Sequence, residues 1–402
     1  MAGALSGLKV VELGEMVSAP YAAKLMADMG AEVIKIERPK AGDGARARGP
    51  FPGGQAHAEK SGLFLYLNTN KLGITLDVSR PEGLELLERL TADADVLIHN
   101  VEPSDMDRIG LGFEHLRRHN SRLVMTSISP WGLSGPKRDW RAEDLTLWTA
   151  SGICYVNGGG PEHPEMPPLK TFGQQAGFQG GVHAAVATMG AVFAQMRDGE
   201  GQHVDVSVYE SLTSQMEMFF EFWPYMQTVA SRLGQKPIQP LEVMECRDGY
   251  IFVCCVEEHQ WRNFVELMGN PEWAAEELFA DRLKRAANWD ALKVFLEEWV
   301  KEQSVLDLYH KAQARRVPFA PVSTLGDLLS SDHLKQRGFF VEITHPVAGT
   351  HKYPGAPLKF SRTPWEIRRP APTLGQHNEE IFGTRLGLNP ARIEELRRTG
   401  VI

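Results

Sequence analysis

The sequence predicts an α/β fold, with a large open α/β layer in its first part and a smaller α+β domain inserted later. Two observations carry this. Apolar runs of strand length alternate with segments of helical periodicity over residues 1–130, as parallel sheets require. After a Gly- and Pro-rich middle, a hairpin pattern followed by several helical stretches marks a change of architecture.

In chain order, Leu8 to Leu13 reads as a buried strand that Gly14 ends. Ala19 to Met29 places Ala22, Leu25, Met26 and Met29 on one helical face, Gly30 closes it, and AEVIKIE (31–37) is the next strand. This strand–helix–strand unit implies parallel strands with a right-handed crossover. Ligands of such sheets sit off the carboxyl ends of the strands, which makes Glu15 to Pro20 and Arg38 a candidate binding edge. Ser79 and Pro81 start a helix running to about Asp93 with Leu84, Leu87 and Leu90 on one face. A strand at 94–100, a short helix at 113–120 and a strand at 122–129 complete the layer.

Residues 158–168 read as an irregular loop, after which a long helix runs through Gly180, Gly181, Ala184, Ala185, Ala187 and Gly190, small residues that allow close approach. Within it, His183 reads as a satisfied core histidine. HVDVSVYESL (203–212) is a strand turning into a helix. EVMEC and YIFVCCV flank an Arg247-Asp248-Gly249 turn. Helical segments at 259–268, 290–303 and 305–314 and an extended 317–324 follow. The expected division is therefore 1–224 as the large domain, 225–330 as the small α+β domain, and 331–402 returning to the first. The tail holds two strands around a Gly turn and a last helix from Asn389-Pro390 to before Gly400.

Composition narrows the class. At 402 residues and 43% hydrophobic the chain can bury large cores. A net charge of −8 speaks against nonspecific nucleic-acid binding, which uses a basic face. No run of eighteen or more apolar residues is free of polar interruptions; residues 180–196 come closest, but His183, Thr188 and Gln195 make them read as a buried helix rather than a membrane span. The opening MAGALSGLKVVEL has neither the basic region nor the apolar block of a signal peptide, so a cytoplasmic location is expected, with no membrane partner. Cys154, Cys246, Cys254 and Cys255 lack metal-site spacing and read as reduced core thiols; no metal is expected.

Several blocks together resemble family III CoA-transferases, the CaiB/BaiF group. They are LSGLKVVELGEMVSAPYAAKLMADMGAEVIKIERPKAGD, NTNKLGITLDVSRPEG, ADVLIHNVEPSDMDRIG, GEGQHVDVSVYES, and YPGAPLKFSRTP with APTLGQHNEEI. The resemblance implies a Rossmann-like large domain and two chains threaded through each other as an interlocked dimer. It implies a coenzyme A thioester as substrate, with no tightly bound cofactor. Carried over position by position, the CoA-binding residues are Val17 and Ser18, beside Glu15 and Met16 in the same loop, then Arg38, Leu76, Asn100, Val101 and Arg108; Glu143 matches a position near the reactive thioester. Arg38 and Arg108 follow strands at their carboxyl ends, where planar bidentate donors suit phosphate oxygens. Surface salt bridges are the competing reading for both. Glu15 and Val17 depart from the family pattern, and a carboxylate beside phosphates is unfavourable unless a cation offsets it.

The family attacks a thioester with an aspartate standing four residues before a Gly that opens the long helix. Counted from Gly181 or Gly180, that position is Gly177 or Ala176 here, and its neighbours Gln174, Gln175 and Gln179 are amides. PPLKTFGQQAGFQGGVHAAVATMGAVFAQ (167–195) contains no acidic side chain. No catalytic residue is therefore assigned. Glu143, Asp144, Glu162 and Glu165 are the nearby acids, with Asp144 also able to cap a helix starting near Leu145.

The resemblance then implies a transferase subunit moving CoA from a donor such as succinyl-CoA to an organic acid, with a catalytic paralog as partner. The aspartate-lacking chain of two-gene transferases of the benzylsuccinate type is the nearest pattern. The alternatives are a self-sufficient acyl-CoA racemase or isomerase, and a non-catalytic acyl-CoA binding protein. The aromatic bias of the middle region, from Trp131, Trp140 and Trp148 to Phe222 and Trp223, suits either a bulky acid or core packing.

Overall fold

The computed structural model describes residues 2–160, 163–234 and 238–402, which form two compact units. The first comprises Met1–Gly158, Met166–Ser231 and Gly338–Ile402; the second comprises Gly159–Glu165 and Arg232–Arg337.

The first unit is built on six parallel strands, β1 (Lys9–Leu13), β2 (Glu32–Glu37), β3 (Lys71–Thr75), β4 (Val96–His99), β5 (Val124–Ser129) and β6 (His203–Ser207). Their order is β3-β2-β1-β4-β5-β6, the Rossmann arrangement, in which the strand order reverses between β1 and β4. Alternation along β1 shows how both faces are covered. Val10 enters a core with α1 (Ser18–Asp28), while Val11 and Leu13 enter a core on the opposite face. The first core also takes α6 (Asp144–Ala150), α7 (Ile153–Val156), α8 (Gln175–Asp198) and α9 (Val208–Thr213). The second takes α3 (Pro81–Ala92), α4 (Pro103–Ile109), α5 (Phe113–Leu116) and the last helix, α17 (Pro390–Thr399). A smaller cluster packs α2 (Gly62–Leu67) against the hairpin of β10 (Phe340–His345) and β11 (Gly349–Pro354).

Of the small residues on α8, Gly180, Gly181, Ala184 and Ala185 are buried, whereas Ala187 and Gly190 are exposed. A Cβ on Gly180 would lie 2.7 Å from Val208, and one on Gly181 would lie 2.7 Å from the Ser18 carbonyl oxygen. The half-buried His183 satisfies its Nδ1 with the Gln179 carbonyl oxygen, one turn earlier.

Strand β3 is obscured in sequence by Lys71 and Gly73. The glycine is needed because a Cβ there would stand 2.6 Å from Pro372. The returning C-terminal segment thereby covers the β3 edge: Thr75 N–H donates to Asn378 Oδ1, and Gly73 N–H donates to His377 Nδ1. From α9 the chain enters α10 (Glu217–Met226), none of whose residues is buried.

The second unit has a three-stranded antiparallel sheet, β7 (Leu241–Cys246), β8 (Gly249–Cys254) and β9 (Ala320–Pro321). The β7–β8 turn is two residues, Arg247 and Asp248, because Gly249 already pairs with Cys246. Helices α11 (Glu258–Leu267), α12 (Arg282–Ala287), α13 (Trp289–Lys301) and α14 (Val305–Ala314) accompany the sheet, followed by α15 (Leu325–Ser330) and α16 (Asp332–Gln336). Its core includes Trp261, Phe264, Leu292, Leu296 and Phe319.

Candidate functional site

A cavity of about 470 Å³ opens in the first unit where β1 and β4 part. The loop after β1 (Gly14 to Ser18), the end of β4 (Asn100, Val101), the start of α6 (Glu143, Asp144) and the start of α8 (Gln174, Ala176, Gly177) line it. Crevices at such reversals of strand order are where open α/β sheets bind ligands.

Asn100 ties the first two walls together. Its Oδ1 accepts from the Glu15 N–H at 2.9 Å, and its Nδ2 donates to the Glu15 carbonyl at 2.8 Å and to Ser18 Oγ at 3.0 Å. Beneath this loop lies a run of buried charges. Lys35 Nζ stands 2.9 Å from Asp43 Oδ2 and 2.9 Å from Glu12 Oε1, and Lys71 Nζ stands 2.6 Å from Glu12 Oε2. Burial opposes the Lys35 charge, but Asp43, Glu12 and Glu37 outweigh it and raise its pKa. Burial lowers the Lys71 ammonium to about 8, with Glu12 opposing. Burial alone would raise the Asp43 carboxyl; Lys35 and the N–H donors of Ala45 and Met16 lower it instead.

The opposite wall is the start of α8. Asp144 does not cap its own helix, of which it is the first residue. Its Oδ1 instead accepts from the Ala176 N–H at 2.7 Å, at the start of α8, while Oδ2 lies 2.8 Å from Lys170 Nζ. A carboxylate here matches the partial positive charge of a helix N-terminus. Gly177 leaves room for Val17: a Cβ at 177 would lie 2.9 Å from Val17 Cβ.

The expected binding residues fall into two groups. Val17, Ser18, Asn100, Val101 and Glu143 meet at the cavity. Arg38 does not line it; its guanidinium donates to Glu15 Oε2 at 2.8 Å, supplying the cation that offsets this carboxylate. Arg108 is exposed on α4 and pairs with Asp105 at 3.0 Å. Leu76, 2% exposed, puts its side chain in the core under the sheet and away from the cavity. Glu165 is exposed and pairs with His163, and Glu162 lies outside the described residues. None of the middle-region aromatics lines the cavity.

The lining is acidic, with Glu15, Glu102, Asp105, Glu143 and Asp144 and no lysine or arginine among its described residues. Burial raises the Glu102 carboxyl, Arg141 opposes this, and Asp105 and Glu143 add to it. Sequence reasoning gave no role to Asp43, Lys35 or Lys170. For Lys35 a signal existed: Glu12 and Lys35 stand inside runs that otherwise read as buried strand, and buried charges of that kind need partners.

The chain matches CoA-transferase family III over residues 5–378. It is 32% identical to succinyl-CoA:(R)-benzylsuccinate CoA-transferase subunit BbsE from Thauera aromatica, over 99% of this chain and 98% of that protein. The beta subunit of succinyl-CoA–L-malate CoA-transferase from Chloroflexus aurantiacus is 28% identical over 99% of this chain and 98% of its own length. Among solved structures, a CaiB/BaiF family protein from Brucella suis superposes with a TM-score of 0.84 at 29% identity, covering 96% of this chain and all of that one.

Proposed function

Because the chain belongs to CoA-transferase family III, we propose that it is the subunit without a nucleophile in a two-chain CoA-transferase, paired with a catalytic paralog. The single observation behind this is the chemistry at the start of α8. No acid stands on the helix there, Asp144 is engaged with the Ala176 N–H and Lys170, and Val17 packs into the space beside Gly177. An amide such as Gln174 cannot form the anhydride and thioester intermediates of the family reaction.

Two further observations favour a paired role. Some relatives matched over 99% of this chain carry subunit names, BbsE in one case and the malate enzyme's beta subunit in another. The first unit also presents large apolar side chains to solvent: Val186, Phe193 and Met196 on α8, and Phe220, Trp223 and Tyr225 on α10. Such a surface suits a chain that wraps around this one, in keeping with an interlocked dimer. In this reading Val17, Ser18, Asn100 and Val101 receive the CoA thioester, and Arg38 and Arg108 face its phosphates after releasing Glu15 and Asp105. Leu76 contributes through its backbone, and Glu143 stands near the thioester carbonyl. The donor is succinyl-CoA and the acceptor an organic acid, as the names of the relatives suggest.

The test is to incubate the purified chain with succinyl-CoA and candidate acids, alone and co-expressed with an aspartate-bearing paralog, and to trap enzyme-bound thioester with hydroxylamine. Adduct on the paralog only, and loss of transfer when the paralog's aspartate becomes alanine, is the expected outcome. Adduct on Glu143 or any acid of this chain overturns the assignment.

A further inference from the structure

The loop from Gly14 to Ser18 contains a residue that would not adopt its conformation unaided. Met16 has φ of 60°, the left-handed region that side chains with a Cβ avoid. Asn100 holds the loop at Glu15 and Ser18. At Met16 the hold comes from below: Asp43 Oδ1 accepts the Met16 N–H at 2.8 Å and the Ala45 N–H at 2.8 Å.

Asp43 is itself fixed. It is 2% exposed, its own N–H donates to Glu37 Oε2 at 2.9 Å, and its Oδ2 meets Lys35 Nζ. The same Lys35 ammonium donates to the Gly14 carbonyl at 3.0 Å, and Lys71, one carboxylate further along, donates to the Pro20 carbonyl at 2.8 Å. The buried charges alternate in sign, Asp43, Lys35, Glu12, Lys71, and touch the backbone at Gly14, Met16 and Pro20. Buried ion pairs add little net stability over a well-packed apolar core. What this row supplies is direction.

We propose that Asp43 is a positioning residue for the cavity loop, holding Met16 left-handed so that the neighbouring loop atoms and Ser18 face the ligand. The affinity part of this proposal rests on the CoA-binding reading above; the loop-ordering part does not. Full-length Asp43→Ala and Asp43→Asn proteins are compared with wild type by amide hydrogen exchange over residues 14–18 and by calorimetric titration with coenzyme A. Alanine removes the acceptor, so loop exchange should rise about tenfold and coenzyme A affinity should fall by a similar factor. Asparagine keeps an acceptor for both N–H groups, so its loop exchange should stay within about threefold of wild type even where its melting temperature drops.

Unchanged loop exchange in Asp43→Ala overturns the proposal. If that variant does not fold, Asp43→Asn decides alone: a tenfold rise in loop exchange with the acceptor in place also overturns it. Should wild type not bind coenzyme A at all, the functional reading fails while the exchange comparison still judges the role of Asp43.

Discussion

Two walls of one cavity are made differently. On the strand side, the loop after β1 is held by polar groups: Asn100 at Glu15 and Ser18, and Asp43 with its buried charges at Met16. On the helix side, the start of α8 is close-packed around small residues, with Val17 against Gly177 and Asp144 satisfying the helix terminus. Fixed polar geometry is what a ligand-holding surface requires, whereas a capped and filled helix start leaves no free nucleophile. In the proposed reading, the strand side holds the ligand and the helix side carries no reacting group.

The largest effect should come from the helix side. Asp144→Ala leaves Lys170 without its carboxylate and the Ala176 N–H without an acceptor, and should cost about 3 kcal/mol in urea denaturation. A loss below about 1 kcal/mol would mean that Asp144 is free for another role.

Gly177→Asp comes next. Its Cβ would press on Val17, so about 1–3 kcal/mol of destabilisation is expected, with Val17→Ala in the same chain recovering much of it in thermal melts. If the single variant is as stable as wild type, that wall is less filled than its geometry indicates.

The strand side carries a pH signature at His99, at the end of β4. The Ser127 hydroxyl lies 2.6 Å from His99 Nε2 and 2.8 Å from His203 Nε2. Burial, with His203 adding to it, lowers the His99 pKa from 6.5 to about 3. Between those values the unfolded chain binds a proton that the folded chain does not, so stability rises with pH and is lost as pH falls below 6.5. Its share of the slope is at most about 1.4 kcal/mol per pH unit, and His99→Gln should flatten the acid limb of a stability–pH curve.

The smallest effect belongs to the exposed Glu15–Arg38 pair. Glu15→Gln should change stability by less than about 1 kcal/mol, yet tighten coenzyme A binding at low salt by freeing Arg38 near the phosphates. Unaltered binding with a salt slope equal to that of wild type would remove Arg38 from the ligand surface.

Much of this was legible beforehand. The β1–α1–β2 unit, α3 and the β7–β8 hairpin follow from apolar periodicity and turn residues, which act over a few neighbours. Strand β3 escaped because Lys71 and Gly73 break its apolar pattern, and both residues answer to distant partners, Glu12 for one and Pro372 for the other. Helix α10 also escaped, and none of its residues is buried.

For the site, sequence listed the strand-end residues together but could not separate those that reach the cavity from Leu76, whose side chain turns into the core. The residue order alone determined the alternating layer, the family pattern and the absence of an acid over residues 167–195, since each is a property of local composition and spacing. Tertiary structure alone decided that Asp144 serves α8, that Val17 fills the space beside Gly177, and that Asp43 reaches Met16. Those outcomes depend on which distant side chains the sheet order brings within bonding distance, and no local pattern encodes that.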